Sequence, residues 1–68
     1  MYRIIYFDSQ TGYRRFDSDD YDTIAEQHMK LKKHGRKIIC IVDYSANVVL
    51  NKCTDFKAHV HEVDRLVN

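Results

Sequence analysis

A chain of 68 residues with no proline, two glycines and no tryptophan has room for one small domain, residues 1–68. Ordering it costs roughly 100 kcal/mol, offset by a core that such a chain can barely make large enough, which argues against a multidomain enzyme or a deep cofactor cleft built by one subunit. Hydrophobic residues at 44% and charged residues at 31% argue against disorder, and a formal net charge of +1 gives no overall field that would draw nucleic acid or an acidic membrane.

In chain order, Tyr2 to Phe7 (YRIIYF) and Tyr13 to Phe16 (YRRF) are β-branched and aromatic runs separated by Asp8-Ser9-Gln10-Thr11-Gly12, turn chemistry of hairpin length. The period then changes. Tyr21, Ile24, Ala25, His28 and Leu31 form one stripe of a helix, with Ser18 or Asp19 as its cap and Gly35 as the residue that ends it. Acidic residues (Asp17, Asp19, Asp20, Asp22, Glu26) lead this segment and basic ones (Lys30, Lys32, Lys33, Arg36, Lys37) close it, which complements the helix dipole. Lys37 to Tyr44 (KIICIVDY) and Val48 to Cys53 (VVLNKC) read as a second hairpin across Ser45-Ala46-Asn47. Phe56, Val60, Val63 and Val67 mark a helix over residues 55–67 capped by Thr54 or Asp55.

The order ββαββα, with a right-handed crossover between the second and third strands, gives an α+β fold. The expected form is a two-layer sandwich: a four-stranded antiparallel sheet in order 2-1-3-4 with both helices on one face. The central strands are apolar on both sides, however. With Phe16 placed on the side of Ile5 and Phe7, the residues Tyr2, Ile4, Tyr6, Tyr13 and Arg15 fall on the uncovered face, a composition suited to a protein-binding patch.

Enzymatic chemistry finds little footing. His59 and His61 are two apart and point to nearly opposite sides of a helix, Cys53 is the nearest thiol to either, and His28 sits on an apolar stripe as a core-edge histidine does. Neither glycine belongs to a phosphate-binding loop. No cofactor and no metal site are expected. Cys40 and Cys53 sit in apolar, strand-like context and are expected as reduced thiols. Residues 1–16 contain neither a signal-peptide core nor a spanning segment, so the expected setting is cytoplasmic with no membrane partner.

The Phe16-Asp17-Ser18 junction and the Lys32-Lys33-His34-Gly35-Arg36-Lys37 helix exit give a plan that resembles small bacterial and phage-encoded α+β proteins. That resemblance is architectural and implies a compact inhibitor or adaptor that occupies another protein's surface. The leading expectation is therefore a non-enzymatic protein-interaction module, homodimeric through the open sheet face or bound to another protein. The alternative is a single-stranded nucleic-acid binder, with the sheet tyrosines as stacking platforms and Lys32, Lys33, Arg36 and Lys37 on phosphates.

Overall fold

The computed structural model describes residues 1–52 and 54–67. β1 (Tyr2–Asp8) and β2 (Gly12–Ser18) pair antiparallel. The Asp8 carboxylate closes their turn by accepting the backbone N–H of Gln10 at 2.8 Å and of Thr11 at 3.4 Å. Gly12 re-enters the sheet with φ +84°, a conformation that costs glycine little.

α1 (Tyr21–Lys33) is capped by Asp20, not by Ser18 or Asp19. Asp20 accepts the Asp22 amide at 3.3 Å and the Thr23 hydroxyl at 2.8 Å, while Ser18 Oγ accepts the amide of Asp20 itself. The helix ends as its glycine implies. Gly35 has φ +75°, its N–H donates to the Lys32 carbonyl at 3.1 Å, and the Arg36 N–H reaches the Leu31 carbonyl at 2.9 Å. These two bonds satisfy carbonyls that the last turn would otherwise leave unpaired.

β3 (Lys37–Asp43) and β4 (Val48–Val49) form the second hairpin, where the Asp43 carboxylate accepts the amides of Ser45 at 3.0 Å and Ala46 at 3.2 Å. β4 is shorter than the expected run to Cys53. Ladder pairing covers only Val42–Val49 and Asp43–Val48. Beyond it, Leu50 N–H donates to the Ile41 carbonyl at 2.9 Å and the Asn51 side chain accepts the Ile41 N–H at 3.0 Å. Cys53 lies outside the described residues, as does any pairing it makes. α2 (Phe56–Val67) begins at Asp55, whose carboxylate accepts the Ala58 amide at 3.1 Å.

The fold is α+β, a four-stranded antiparallel sheet in order β2-β1-β3-β4 with two helices. The helices do not share a face. Ile24 and Leu31 of α1 pack with Ile4 and Ile41, whereas Val63 of α2 packs with Ile5, Cys40 and Val42. Consecutive strand residues point to opposite sides, so each face of the sheet carries one helix in place of the expected two-layer arrangement. Ile4 and Ile5 are adjacent and both completely buried, which makes β1 the central strand of two cores. Each such aliphatic side chain contributes about 1.5–3 kcal/mol by leaving water.

The register also differs from expectation by one residue. Phe16 pairs with Ile4, Arg15 with Ile5 and Tyr13 with Phe7. Phe16 therefore lies beneath α1 with Tyr2 and Tyr6, and Tyr13 and Arg15 lie on the α2 side. Between β1 and β3 the pairing jumps from Ile5–Cys40 to Tyr6–Ile38, leaving Ile39 as a bulge. Ile38 packs on the α1 side, and both Ile39 and Cys40 on the α2 side.

Candidate protein-interaction surface

The five residues expected on one open face are divided by the sheet. Tyr2 and Tyr6 are half-buried against the α1 core and Ile4 is fully buried within it, while Tyr13 is 43% exposed on the other side. Tyr2 stacks edge-to-face on Tyr21, and Phe7 on Tyr13, with ring centroids 5.7 and 5.1 Å apart. Arg15 extends beside Asp17, its Nε 3.9 Å from Asp17 Oδ2.

The basic residues of the alternative reading cluster at one end of the molecule. Lys32 and Lys33 occupy the last turn of α1, and Lys37 opens β3. Arg36 is already engaged: its Nε lies 2.9 Å from Asp8 Oδ2 and its Nη1 donates to the His34 carbonyl. The Asp8 carboxyl is held below its ordinary value, chiefly by the Gln10 amide and then by the charge of Arg36.

A polar network fastens α2 to the sheet. Arg3 on β1 donates two bonds to the Asp17 carboxylate, at 2.7 and 3.1 Å, and a third from Nη1 to Asp64 of α2 at 3.1 Å. The Tyr44 hydroxyl accepts from Arg3 at 3.2 Å and donates to Asp64 at 2.9 Å. The guanidinium lies 5.3 Å from the Tyr44 ring centroid. Burial pushes Tyr44 up to about 12, with the Asp64 hydrogen bond adding to it, and the Asp17 hydrogen bond raises Arg3 further above its ordinary value. The phenol keeps its proton and the guanidinium its charge, so the set acts as a fastening.

The remaining reactive side chains are scattered. Cys40 is fully buried and its thiol is pushed up to about 11 by that burial, the opposite of an activated nucleophile. His28 is half-buried beside α1, His59 is half-buried with no hydrogen-bond partner for Nε2 among the described residues, and His61 is exposed. Among the described residues, no group of three or more His, Cys, Asp or Glu is placed to hold a metal ion. A pairing of Cys53 with His59 or His61 falls outside them. No described helix is long and apolar enough to cross a membrane.

A groove of about 300 Å³ runs between α1 and the segment that follows β4. Its floor is Ile41, its helical wall is Tyr21, Ala25, His28 and Met29, and its far wall is Leu50. It exists because β4 stops at Val49: the sheet narrows beside α1, and Leu50 turns across the gap. Met29 is 72% exposed, Tyr21 55% and Leu50 45%, so three of the large exposed hydrophobic side chains surround one depression. Sequence reasoning did not single out Met29 or Leu50. Met29 follows the helical stripe by one position and stands before Lys30, an apolar residue where a solvated one is ordinary, and that was the available signal. Comparison with protein-family models, with curated proteins and with solved structures finds no match for this chain.

Proposed function

We propose that this protein is a non-enzymatic protein-interaction module whose α1 groove receives apolar anchor side chains from a partner protein. The supporting observation is the gathering of Tyr21, Met29 and Leu50 around the Ile41 floor. Aromatic and methionine side chains are enriched in protein interfaces, and methionine adapts its shape to what it meets. Lys32 follows one turn after His28 on the same helical stripe, and Lys52 follows Asn51 on the far wall. The matching ligand is an amphipathic segment with aliphatic or aromatic anchors and carboxylates at the end that meets these lysines.

The test uses amphipathic helical peptides carrying Leu or Phe at i, i+4, with glutamates at one end, titrated into the isotope-labelled protein. Chemical-shift changes are expected at Tyr21, Ala25, His28 and Leu50. Met29→Asp, at a position 72% exposed, should leave the fold intact and weaken binding about tenfold or more. Shift changes away from the groove, or equal binding by Met29→Asp, would defeat the reading. Retention of single-stranded DNA at low salt that is lost in Lys32→Glu/Lys33→Glu would replace it with the nucleic-acid alternative.

A further inference from the structure

The helix that walls the groove itself has the form of the groove's proposed ligand. Tyr21, Ala25 and Met29 recur along one flank of α1 at i, i+4 and i+8, and all three line the groove. Asp22 lies in the first turn of the helix and Lys32 and Lys33 in the last, all exposed. Successive residues turn by about 100° around a helix axis. With Ile24 pointing into the core, Lys32, Ala25, Met29, Asp22 and Lys33 follow in that order from about 80° to about 180° away from it, so they share one face tilted outward from the sheet.

This face is apolar in its middle and oppositely charged at its two ends. A second such helix laid parallel along it would set aspartate against aspartate and lysine against lysine, whereas an antiparallel one sets each acid against the other's bases. We propose that the occupant of the groove is α1 of a second copy, the two helices packed antiparallel about a two-fold axis between Ala25 and Met29. The inference rests on the reading of the groove as a docking site and names what fills it.

In that register Met29 sits on Ala25 of the partner subunit, and Asp22 faces Lys32 and Lys33 of the partner subunit, each pairing occurring twice by symmetry. Ala25 carries a single methyl group and lets the helices approach, so Met29, 72% exposed in the single chain, becomes covered. Leu50, 45% exposed on the far wall, meets the second helix from the other side of the groove. The outward tilt of the face lifts that helix clear of β3 and β4. Sliding the helices by one turn loses these pairings. An axis at Ala25 sets Asp22 against His28 of the partner subunit, and one at Met29 sets it against Arg36 of the partner subunit, a residue whose guanidinium Asp8 already holds at 2.9 Å.

Sedimentation equilibrium of the full chain from micromolar to millimolar concentration should show a dimer in equilibrium with monomer. Asp22→Lys alone, and Lys32→Asp/Lys33→Asp alone, should each raise the dissociation constant at least about tenfold. An equimolar mixture of the two variants, each shown to be folded by circular dichroism, should restore the dimer, because both pairings are then between opposite charges. In a mixed sample of isotope-labelled and unlabelled starting chain, the Met29 methyl protons should show a contact to Ala25 of the partner subunit, a measurement that needs no substitution. A monomer at millimolar concentration, a dimer lacking that contact, or folded variants that stay monomeric when mixed would overturn the proposal. The peptide titration separates its failure from that of the proposed function: a monomer whose groove still takes the peptides refutes the second copy and keeps the foreign segment, while a dimer with the Met29 contact that takes no peptide does the reverse.

Discussion

Replacing Asp64 by alanine tests whether α2 is fastened to the sheet where the polar network places it. The substitution removes the acceptor of the Arg3 Nη1 bond at 3.1 Å and of the Tyr44 hydroxyl at 2.9 Å, while Arg3 keeps both bonds to Asp17. The Arg3 and Asp64 side chains are only 12% and 23% exposed, so water replaces the lost partner incompletely. At about 1.5 kcal/mol for each charge-assisted bond, the loss is about 3 kcal/mol. The gain in helix propensity from aspartate to alanine returns about 0.6 kcal/mol. The net cost of roughly 2.4 kcal/mol is large for a chain whose total stability falls at roughly 3–10 kcal/mol. Thermal melts followed by circular dichroism should show Tm falling by about 10–20 °C. A double-mutant cycle with Arg3→Met should give a coupling above about 0.5 kcal/mol. An unchanged Tm for Asp64→Ala, or no coupling to Arg3, would refute the attachment of α2 to the Ile5 face through this network.

Two further outcomes follow from the same geometry. Tyr44 is raised from 10.0 to about 12 and Cys40 from 9.0 to about 11, so both hold their protons more tightly in the folded chain than in the unfolded one. Their contributions are whole below the unfolded values and are lost as pH rises through the folded ones: Cys40 between about 9 and 11, Tyr44 between about 10 and 12. The stability gap between the starting chain and Tyr44→Phe, measured by urea unfolding, should therefore narrow from pH 10 to 12, and a constant gap would contradict the assignment. Gly35→Ala should cost about 1 kcal/mol, entirely through the backbone. Its φ is +75° and an added Cβ meets no atom within 4 Å, so a melt that does not change would mean that α1 is not closed by this left-handed residue.

The hairpins and the first helix were legible because local chemistry decides them. Asp8 and Gly12 set one turn, Asp43 the other, and Gly35 ends α1. Strand order followed from these and from the handedness of the crossover between β2 and β3. The register of β2 was not legible, because it depends on the turn placing Asp8 opposite Gly12, and that count sets Phe16 against Ile4. The bulge at Ile39 was hidden for another reason: KIICIVD is apolar without alternation, so no residue advertises that it leaves the ladder. The face of α2 escaped as well. The connection from β4 into α2 is not a parallel crossover, so no handedness rule applies, and the valine stripe of α2 fits either side equally. Arg3, Tyr44 and Asp64 decide it, and residues 3 and 64 stand at opposite ends of the sequence.

Placing one helix on each face changes which apolar surface stays exposed. With both helices on one side, the surplus apolar side chains of β1 and β3 would form a bare sheet face; with the helices divided, Ile4, Ile5, Ile41 and Val42 are all buried. A helix is about 10 Å across and neighbouring strands are about 4.8 Å apart, so one helix covers roughly two strands of a four-stranded face. α1 packs against β1, β2 and β3, which leaves its face incompletely covered toward β4. The groove bounded by Met29 and Leu50 opens there. The two helices therefore bury the central strands and leave an apolar notch exposed beside β4, between Met29 and Leu50, which is where the proposed partner would insert its anchor side chains.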